Sequence, residues 1–330
     1  MSMKKCKNCI NSSNNPSITF SQDGLCVVCA RYKQQLNMNK LKEELKFVKS
    51  FSQMKGKYNA MVGISGGKDS TATLFTVKEM GFKSLAFTFD IGYTEKNIFS
   101  RSKEVAQKIG TDFKKINIKK YINNNDRKSF EMTADLYDEV ENSQLKKKFK
   151  TIYIKNRKTY STKDDIAYPF IRPCQICRKV VIKAYYAEAL KRGVSIVFIG
   201  INEWVGLSNQ TFSAIRKLQP FPNKNPVYIV HLPFLLQRSS EDIKPILKKI
   251  GWKKPINDLF IETGAGACYF ARACEDKSKK MLGFHIDSTR LSREITAGFI
   301  NKEQAKKAIK NYKKTTKSVR QVLQEAEIIN

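Results

Sequence analysis

Apolar residues recur along the chain with two spacings, and the changes from one to the other mark out its elements. Leu41, Leu45, Val48 and Phe51 lie three or four apart, which predicts an amphipathic linker helix between residues 36 and 51. Asn59 to Ile64 is a short, almost uninterrupted apolar run of strand length. A polar loop follows, and then Leu74, Val77 and Met80 share one helical face that Gly81 ends. Leu85, Ala86, Phe87 and Phe89 predict a second strand over residues 84–90. A helix over 97–109 closes on Gly110, and a third strand runs over 114–118. This β-α-β-α-β order predicts a parallel sheet with right-handed crossovers. The pattern resumes with a helix from Arg178 to Arg192 and a strand at 195–199 that ends on Gly200; after Leu232 the chain reads as α-rich. Residues 119–168 are polar and charge-dense, which predicts an inserted basic lobe, helical around Phe130–Val140. The expected organisation is a small unit at 1–32, a linker helix at 33–56, an α/β domain at 57–232 carrying the 119–168 insertion, and a helical region at 233–330.

Composition narrows the class. An apolar content of 41% is ordinary for a globular protein and too high for a disordered one. No apolar run approaches the roughly 20 residues that cross a bilayer. The start, Met1 to Cys6, lacks the apolar stretch of a signal peptide, so the expected setting is the cytoplasm, away from membranes. The 61 Lys and Arg against 30 Asp and Glu leave a formal charge of +31. Two readings fit this excess: a lysine-covered surface, or a polyanionic partner whose counterions are released on binding.

Eight cysteines stand at 6, 9, 26, 29, 174, 177, 268 and 274. In a reducing compartment, paired C-x-x-C spacings point to metal ligands rather than disulfides. Cys6, Cys9, Cys26 and Cys29 have the spacing of a structural zinc ribbon, in which four thiolates close a tetrahedron and leave no open position. So small a unit has little core of its own, and Zn²⁺ would supply much of its stability.

The loop Ser65-Gly66-Gly67-Lys68-Asp69-Ser70 between a strand and a helix is a phosphate cradle. Its glycines let backbone N–H groups face an anion, the helix N-terminus adds partial positive charge, and Lys68 adds a full one. It lacks the spacing of a Walker A loop. The hexapeptide resembles the PP-loop, S-G-G-x-D-S, of N-type ATP pyrophosphatases, whose domain is adenine nucleotide alpha hydrolase-like. That resemblance implies binding of the pyrophosphate part of ATP with Mg²⁺, with Lys68 and Asp69 beside the phosphates. It also implies AMP transfer to a substrate carbonyl oxygen, release of pyrophosphate, and displacement of AMP by a nucleophile. By the same resemblance Asp90, at the end of the second strand, and Gly200 and Asn202, in a G-x-N segment, stand beside the nucleotide.

Two further resemblances bear on the nucleophile. Cys174-Gln175-Ile176-Cys177 before a helix, with Cys268 far downstream, resembles the layout of iron–sulfur tRNA thiolases that carry a PP-loop. It implies a [4Fe–4S] cluster on Cys174, Cys177 and Cys268, a sulfur donor, and tRNA as substrate. The residues alone also fit a second zinc site with Cys274, a persulfide pair of Cys174 and Cys177, or plain core cysteines. The two chain ends resemble N-acetyl sugar amidotransferases instead. The matching stretches are Cys6-x-x-Cys9 with Pro16-Ser17-Ile18-Thr19-Phe20 and Gly24-Leu25-Cys26-x-x-Cys29, and then Ser292-Arg293-Glu294-Ile295 through Ala297-Gly298 to Lys302-Glu303-Gln304-Ala305. This second family implies ammonia from a glutaminase partner and a sugar substrate. Arg293, Glu294 and Gly298 also read as an exposed helix ended by a glycine cap. The expected activity is thiolation of a tRNA base, with amidotransfer as the alternative and a homodimer as the expected assembly, although no motif fixes the latter. His231 and His285 sit in no ligand or triad spacing, and structural roles are expected for both.

Overall fold

The computed structural model describes residues 3–159, 166–205, 211–254 and 266–330. Residues 160–165 of the basic insertion, and Gly264 and Ala265 ahead of Cys268, lie outside them. Six strands form one sheet: β1 (Ala60–Gly63), β2 (Ser84–Asp90), β3 (Asp112–Asn117), β4 (Ile196–Ile199), β5 (Ile215–Leu218) and β6 (Val227–His231). Their order is β3-β2-β1-β4-β6-β5, with every neighbouring pair parallel except β5 against β6 at one edge. The expected parallel α/β core is therefore present. The β5–β6 pair was not foreseen from the sequence.

Side chains alternate across the sheet, and so two layers cover it. Met61, Phe87, Val197 and Ile229 face one core, which is closed by α5 (Asn124–Asp138), α7 (Pro173–Leu190), α10 (Tyr269–Leu282) and α13 (Val319–Glu325). Val62, Ala86, Phe198 and Val230 face the other. It is closed by α2 (Met38–Ser50), α3 (Lys68–Glu79), α4 (Asn97–Ile109) and the short α8 (Leu232–Leu235). The linker helix expected over residues 36–51 is α2, which begins where the Asn37 side chain accepts from Lys40 N at 3.1 Å, just past the end of α1 (Val27–Gln35).

The charge-dense stretch after β3 folds into α5 and α6 (Ser143–Thr159). Leu145, Phe149 and Tyr153, four apart on α6, are all buried in the first core, while Lys146, Lys147, Lys148 and Lys150 stay exposed. Past β6, α9 (Lys244–Ile250), α11 (Ser288–Thr296) and α12 (Lys302–Lys310) complete the described helices. Among the described residues no helix is long and apolar enough to cross a membrane.

Candidate active site

The sheet order reverses between β1 and β4, since the chain runs from β1 outward to β3 and then returns to β4 on the other side. In open α/β sheets ligands bind at that reversal, outside the carboxyl ends of the strands. Here the segment leaving β1 is residues 65–70, and the one leaving β4 is residues 200–202. The two touch: a Cβ at Gly200 would lie 2.8 Å from the backbone N and Cα of Ser70.

Within the loop, Ser65 N donates to Ser70 Oγ at 3.1 Å, and Ser70 Oγ donates to Gly67 O at 3.1 Å. Gly66 takes φ of +70°, and a Cβ there would strike Arg101 Cβ at 2.8 Å. Its carbonyl accepts from Arg101 Nη2 at 3.1 Å and Trp252 Nε1 at 3.0 Å, which fixes the turn from outside. Gly67 caps α3, so the free N–H groups of the first helical turn open onto the loop. Lys68, nearly buried, holds Asp69 Oδ1 at 2.6 Å. Asn202 Oδ1 is buried without a donor among the described residues, and Asn202 shares a crevice with Asp69 and Arg238. Asp90 is committed elsewhere, to Lys115 Nζ at 2.7 Å and Gly92 N at 2.9 Å.

Helix α11 forms a further wall, and the reading of Arg293 and Glu294 as an exposed helix end needs correction. Gly298 does take φ of +78° just past the helix, but Glu294 is only 9% exposed. Burial pushes its carboxyl up; Arg290 opposes that shift, and Asp69 adds to it. Arg290 is bonded to Glu294 and lies 3.6 Å from Asp287. Arg293 and Arg178 both grip Glu203, the latter at 2.8 Å. Burial opposes ionisation of Glu203, yet the two guanidiniums overcome it and hold the carboxyl at about 2. Burial also brings His231, on β6, down to about 4, so its ring is neutral. None of Arg172, Arg178, Glu203, Asp287 and Arg290 was singled out from the sequence as a site residue. They are scattered through three segments, and no spacing links them.

The core thiols stand at the starts of two helices, α7 and α10. Cys174 and Cys177 occupy the first turn of α7, and Cys268 caps α10, accepting from Ala271 N at 3.4 Å. The stretch after β2 is stitched to Cys268: Thr94 bridges it, Tyr269 N donates to Tyr93 O at 3.0 Å, and Glu95 N donates to Ala267 O at 3.0 Å. Cys174 is solvent-accessible at the start of α7, on a helix that packs into the first core. Desolvation pushes its thiol up to about 12, with Asp287 adding to the shift and Arg172 opposing it. The Cys268 thiol is raised by burial and then by Cys174. Tyr93, fully enclosed, is raised by burial, then by Cys177 and Cys268. Among the described residues these thiols do not draw together into a tight ligand set, unlike the four at the N-terminus. Cys274 is buried on the next turn of α10.

The N-terminal thiols form a tighter set. The Sγ atoms of Cys6, Cys9, Cys26 and Cys29 all lie within 4.8 Å of one another, with contacts of 3.5 Å (Cys9 to Cys26), 3.7 Å (Cys26 to Cys29) and 3.8 Å (Cys6 to Cys29). A tetrahedral zinc with Zn–S near 2.3 Å places its sulfurs about 3.8 Å apart, so the set fits that ion. Donors suited to thiolates surround it: Cys26 N to Cys6 at 3.2 Å, Asn11 Nδ2 to Cys26 at 3.4 Å and Asn8 Nδ2 to Cys29 at 3.4 Å. Hydrogen bonds from Cys29 and then Cys9 hold the Cys26 thiol far below its ordinary range.

Residues 59–167 match the family model described as "Queuosine biosynthesis protein QueC". The match includes the loop at residues 65–70, so this segment is similar to a PP-loop ATP pyrophosphatase family. Members of that family are ATP-using enzymes. The chain is also 22% identical to an uncharacterized protein of Methanocaldococcus jannaschii over 313 residues, 94% of each chain. Among solved structures it is similar to an NH3-dependent NAD synthetase from Campylobacter jejuni in complex with the nitrate ion. That match has 13% identity and a TM-score of 0.25, and spans 49% of this chain and 56% of the other.

Proposed function

We propose that the PP-loop chain adenylates a carbonyl oxygen of its substrate and then replaces that oxygen with sulfur, with a tRNA base as the substrate. What supports this reading is the loop at 65–70 against Gly200, with the idle Asn202 Oδ1 in the crevice beside Asp69, and the Arg290–Glu294 pair whose charges reach both Asp69 and Cys174. The substrate oxygen attacks the α-phosphorus of ATP, the bond to the bridging oxygen breaks, and pyrophosphate leaves. The nucleophile then attacks the activated carbon, and AMP departs with the original oxygen. Lys68 and the N–H groups of the first turn of α3 bind the leaving phosphates, and Asp69 holds the Mg²⁺ that accompanies them. Asn202 offers its idle Oδ1 to a donor of the nucleotide. A [4Fe–4S] cluster on Cys174, Cys177 and Cys268 would supply the sulfur. Arg290 and Arg172 stand beside Cys174 to offset negative charge there.

A second reading has its own support. The two chain-end stretches that resemble N-acetyl sugar amidotransferases meet in space, with Cys29 Sγ 3.1 Å from Thr296 Oγ1 and Ile295 packed into the ribbon. In that case ammonia from a glutaminase partner is the nucleophile and a sugar is the acceptor.

Asp69→Asn should abolish pyrophosphate release from ATP while leaving the circular dichroism spectrum unchanged; retained release would refute the assignment of the loop. Anaerobic purification, metal analysis and a visible spectrum separate the two nucleophiles. A brown protein that Cys174→Ala bleaches supports sulfur transfer. A colourless protein holding only zinc supports nitrogen transfer.

A further inference from the structure

Away from the cleft, on the far side of α11, a cavity of about 600 Å³ opens between the four-cysteine ribbon, the end of α10 and helix α12. Its volume lies in the range that takes a ligand of nucleotide size. Five lysines line it, namely Lys5, Lys279, Lys302, Lys306 and Lys310, and no carboxylate does. Lys302 is turned to the carbonyl of Lys7, and Lys306 shares Glu303 at 2.7 Å across an exposed pair. Lys5 and Lys310 carry no ion pair among the described residues. Between the lysines, Ile10, Phe284 and Ile309 give an apolar wall suited to the face of a base. One buried polar group also lines the cavity without a partner. His285 is 4% exposed, its Nε2 makes no hydrogen bond among the described residues, and the nearest carboxylate oxygen, on Glu275, is 3.7 Å away.

We infer that this cavity binds a nucleotide unit of a single-stranded nucleic acid, with the phosphates on the lysines and a base against the apolar wall. The spread of charge favours a strand over a free monophosphate. The lysines without an ion pair among the described residues, Lys5 and Lys310, come from the ribbon and from the end of α12, a spread that successive phosphates of a strand suit better than one monophosphate. The exposed Lys307 extends the same charge along α12 beyond the cavity. Stacking with backbone neutralisation is how single strands are held without sequence readout. The inference rests on the cavity alone and holds whether sulfur or nitrogen is transferred in the cleft.

The test is the binding of a fluorescein-labelled oligouridylate to the full chain, read by anisotropy over a range of salt. Lys5→Ala with Lys310→Ala removes two phosphate contacts. Each contact contributes about 0.7 to the slope of log affinity on log salt for a single strand. The double variant should therefore be shallower by about 1.4 and weaker by about 25-fold at 0.1 M salt, with pyrophosphate release from ATP unchanged. Lys103→Ala with Lys108→Ala, on α4, removes the same charge elsewhere and should leave slope and affinity near wild type. An unchanged slope in the Lys5 and Lys310 variant would overturn the inference, as would an equal loss in the α4 variant. Uridine 5′-monophosphate binding as tightly as the oligomer would overturn the assignment to a strand.

Discussion

The contact between Gly200 and the phosphate loop makes a quantitative prediction. A methyl group at position 200 would sit 2.8 Å from Ser70 N and Cα and 2.9 Å from the Asp69 carbonyl carbon. All three are backbone atoms, so no side chain can swing aside. Relief to an ordinary carbon contact near 3.5 Å requires the end of β4 and the first turn of α3 to separate by about 0.7 Å. Forcing a methyl into a packed site of this kind costs about 1–3 kcal/mol. Gly63, at the end of β1, provides the control. A Cβ there meets Phe87 Cζ at 3.5 Å, Ile199 Cγ2 at 3.6 Å and Phe198 O at 3.8 Å, all ordinary distances. Gly63→Ala should therefore gain about 0.4–1 kcal/mol through the unfolded chain. Urea unfolding should separate the two variants by roughly 1.4–4 kcal/mol. Gly200→Ala should also release pyrophosphate about 100-fold more slowly, because a displacement near 1 Å carries that penalty when groups must be aligned. Equal stabilities within about 0.5 kcal/mol would refute the claimed contact.

Three further outcomes follow from the site's chemistry. Metal analysis should find one zinc per ribbon, and a strong chelator should lower the urea midpoint and quench activity together, since Thr296 on the α11 wall touches Cys29; an unchanged midpoint after complete zinc loss would contradict this. Arg178 and Arg293 hold Glu203 at about 2, below its ordinary value near 4.5, so its contribution to stability is complete above about pH 4.5 and is lost as the pH falls toward 2. Glu203→Gln should flatten that acid limb in urea titrations at pH 3, 4 and 7. Burial raises Glu275 to about 9, so the unfolded chain gains from ionising it as pH climbs from about 4.5; Glu275→Gln should be relatively more stable at pH 8 than at pH 4.5, and the opposite trend would refute the burial argument.

Much of this arrangement is written locally in the chain. Helix α4 begins and ends at the residues its pattern predicts, 97 to 109, because Gly110 takes the left-handed conformation that stops it. The loop at 65–70 was readable because six suitable residues stand together where a buried strand gives way to a helix. Other features depend on contacts that no window of sequence contains. The lysines of α6 mask a clean apolar row, Leu145, Phe149 and Tyr153, whose four-residue spacing was the available signal. Strands β5 and β6 are short, and β5 keeps Ile215, Arg216 and Leu218 half-buried at an edge, so little alternation shows. Asn37, a legible cap, starts α2 within two residues of where the apolar spacing puts the linker helix. Arg290 and Glu294 look like an ordinary surface pair until the PP-loop, more than two hundred residues earlier, is brought against them.

Helix α11 is where the two ends of the chain acquire a common purpose. One face carries Ile295 and Thr296 into the ribbon, and another turns Arg290, Arg293 and Glu294 toward Lys68, Cys174 and Glu203. A nine-residue helix has marginal stability of its own and depends on what it packs against. Four thiols closed on a metal would give that backing more rigidity than so small an apolar cluster could. The spacing of the cysteines and the Ser-Arg-Glu-Ile stretch, nearly three hundred residues apart, are on this view two halves of one support for the charged wall of the cleft. Under either proposed chemistry the support is the same. The ribbon therefore speaks to how the charged wall is held, and on the proposed function the core thiols speak to the nucleophile.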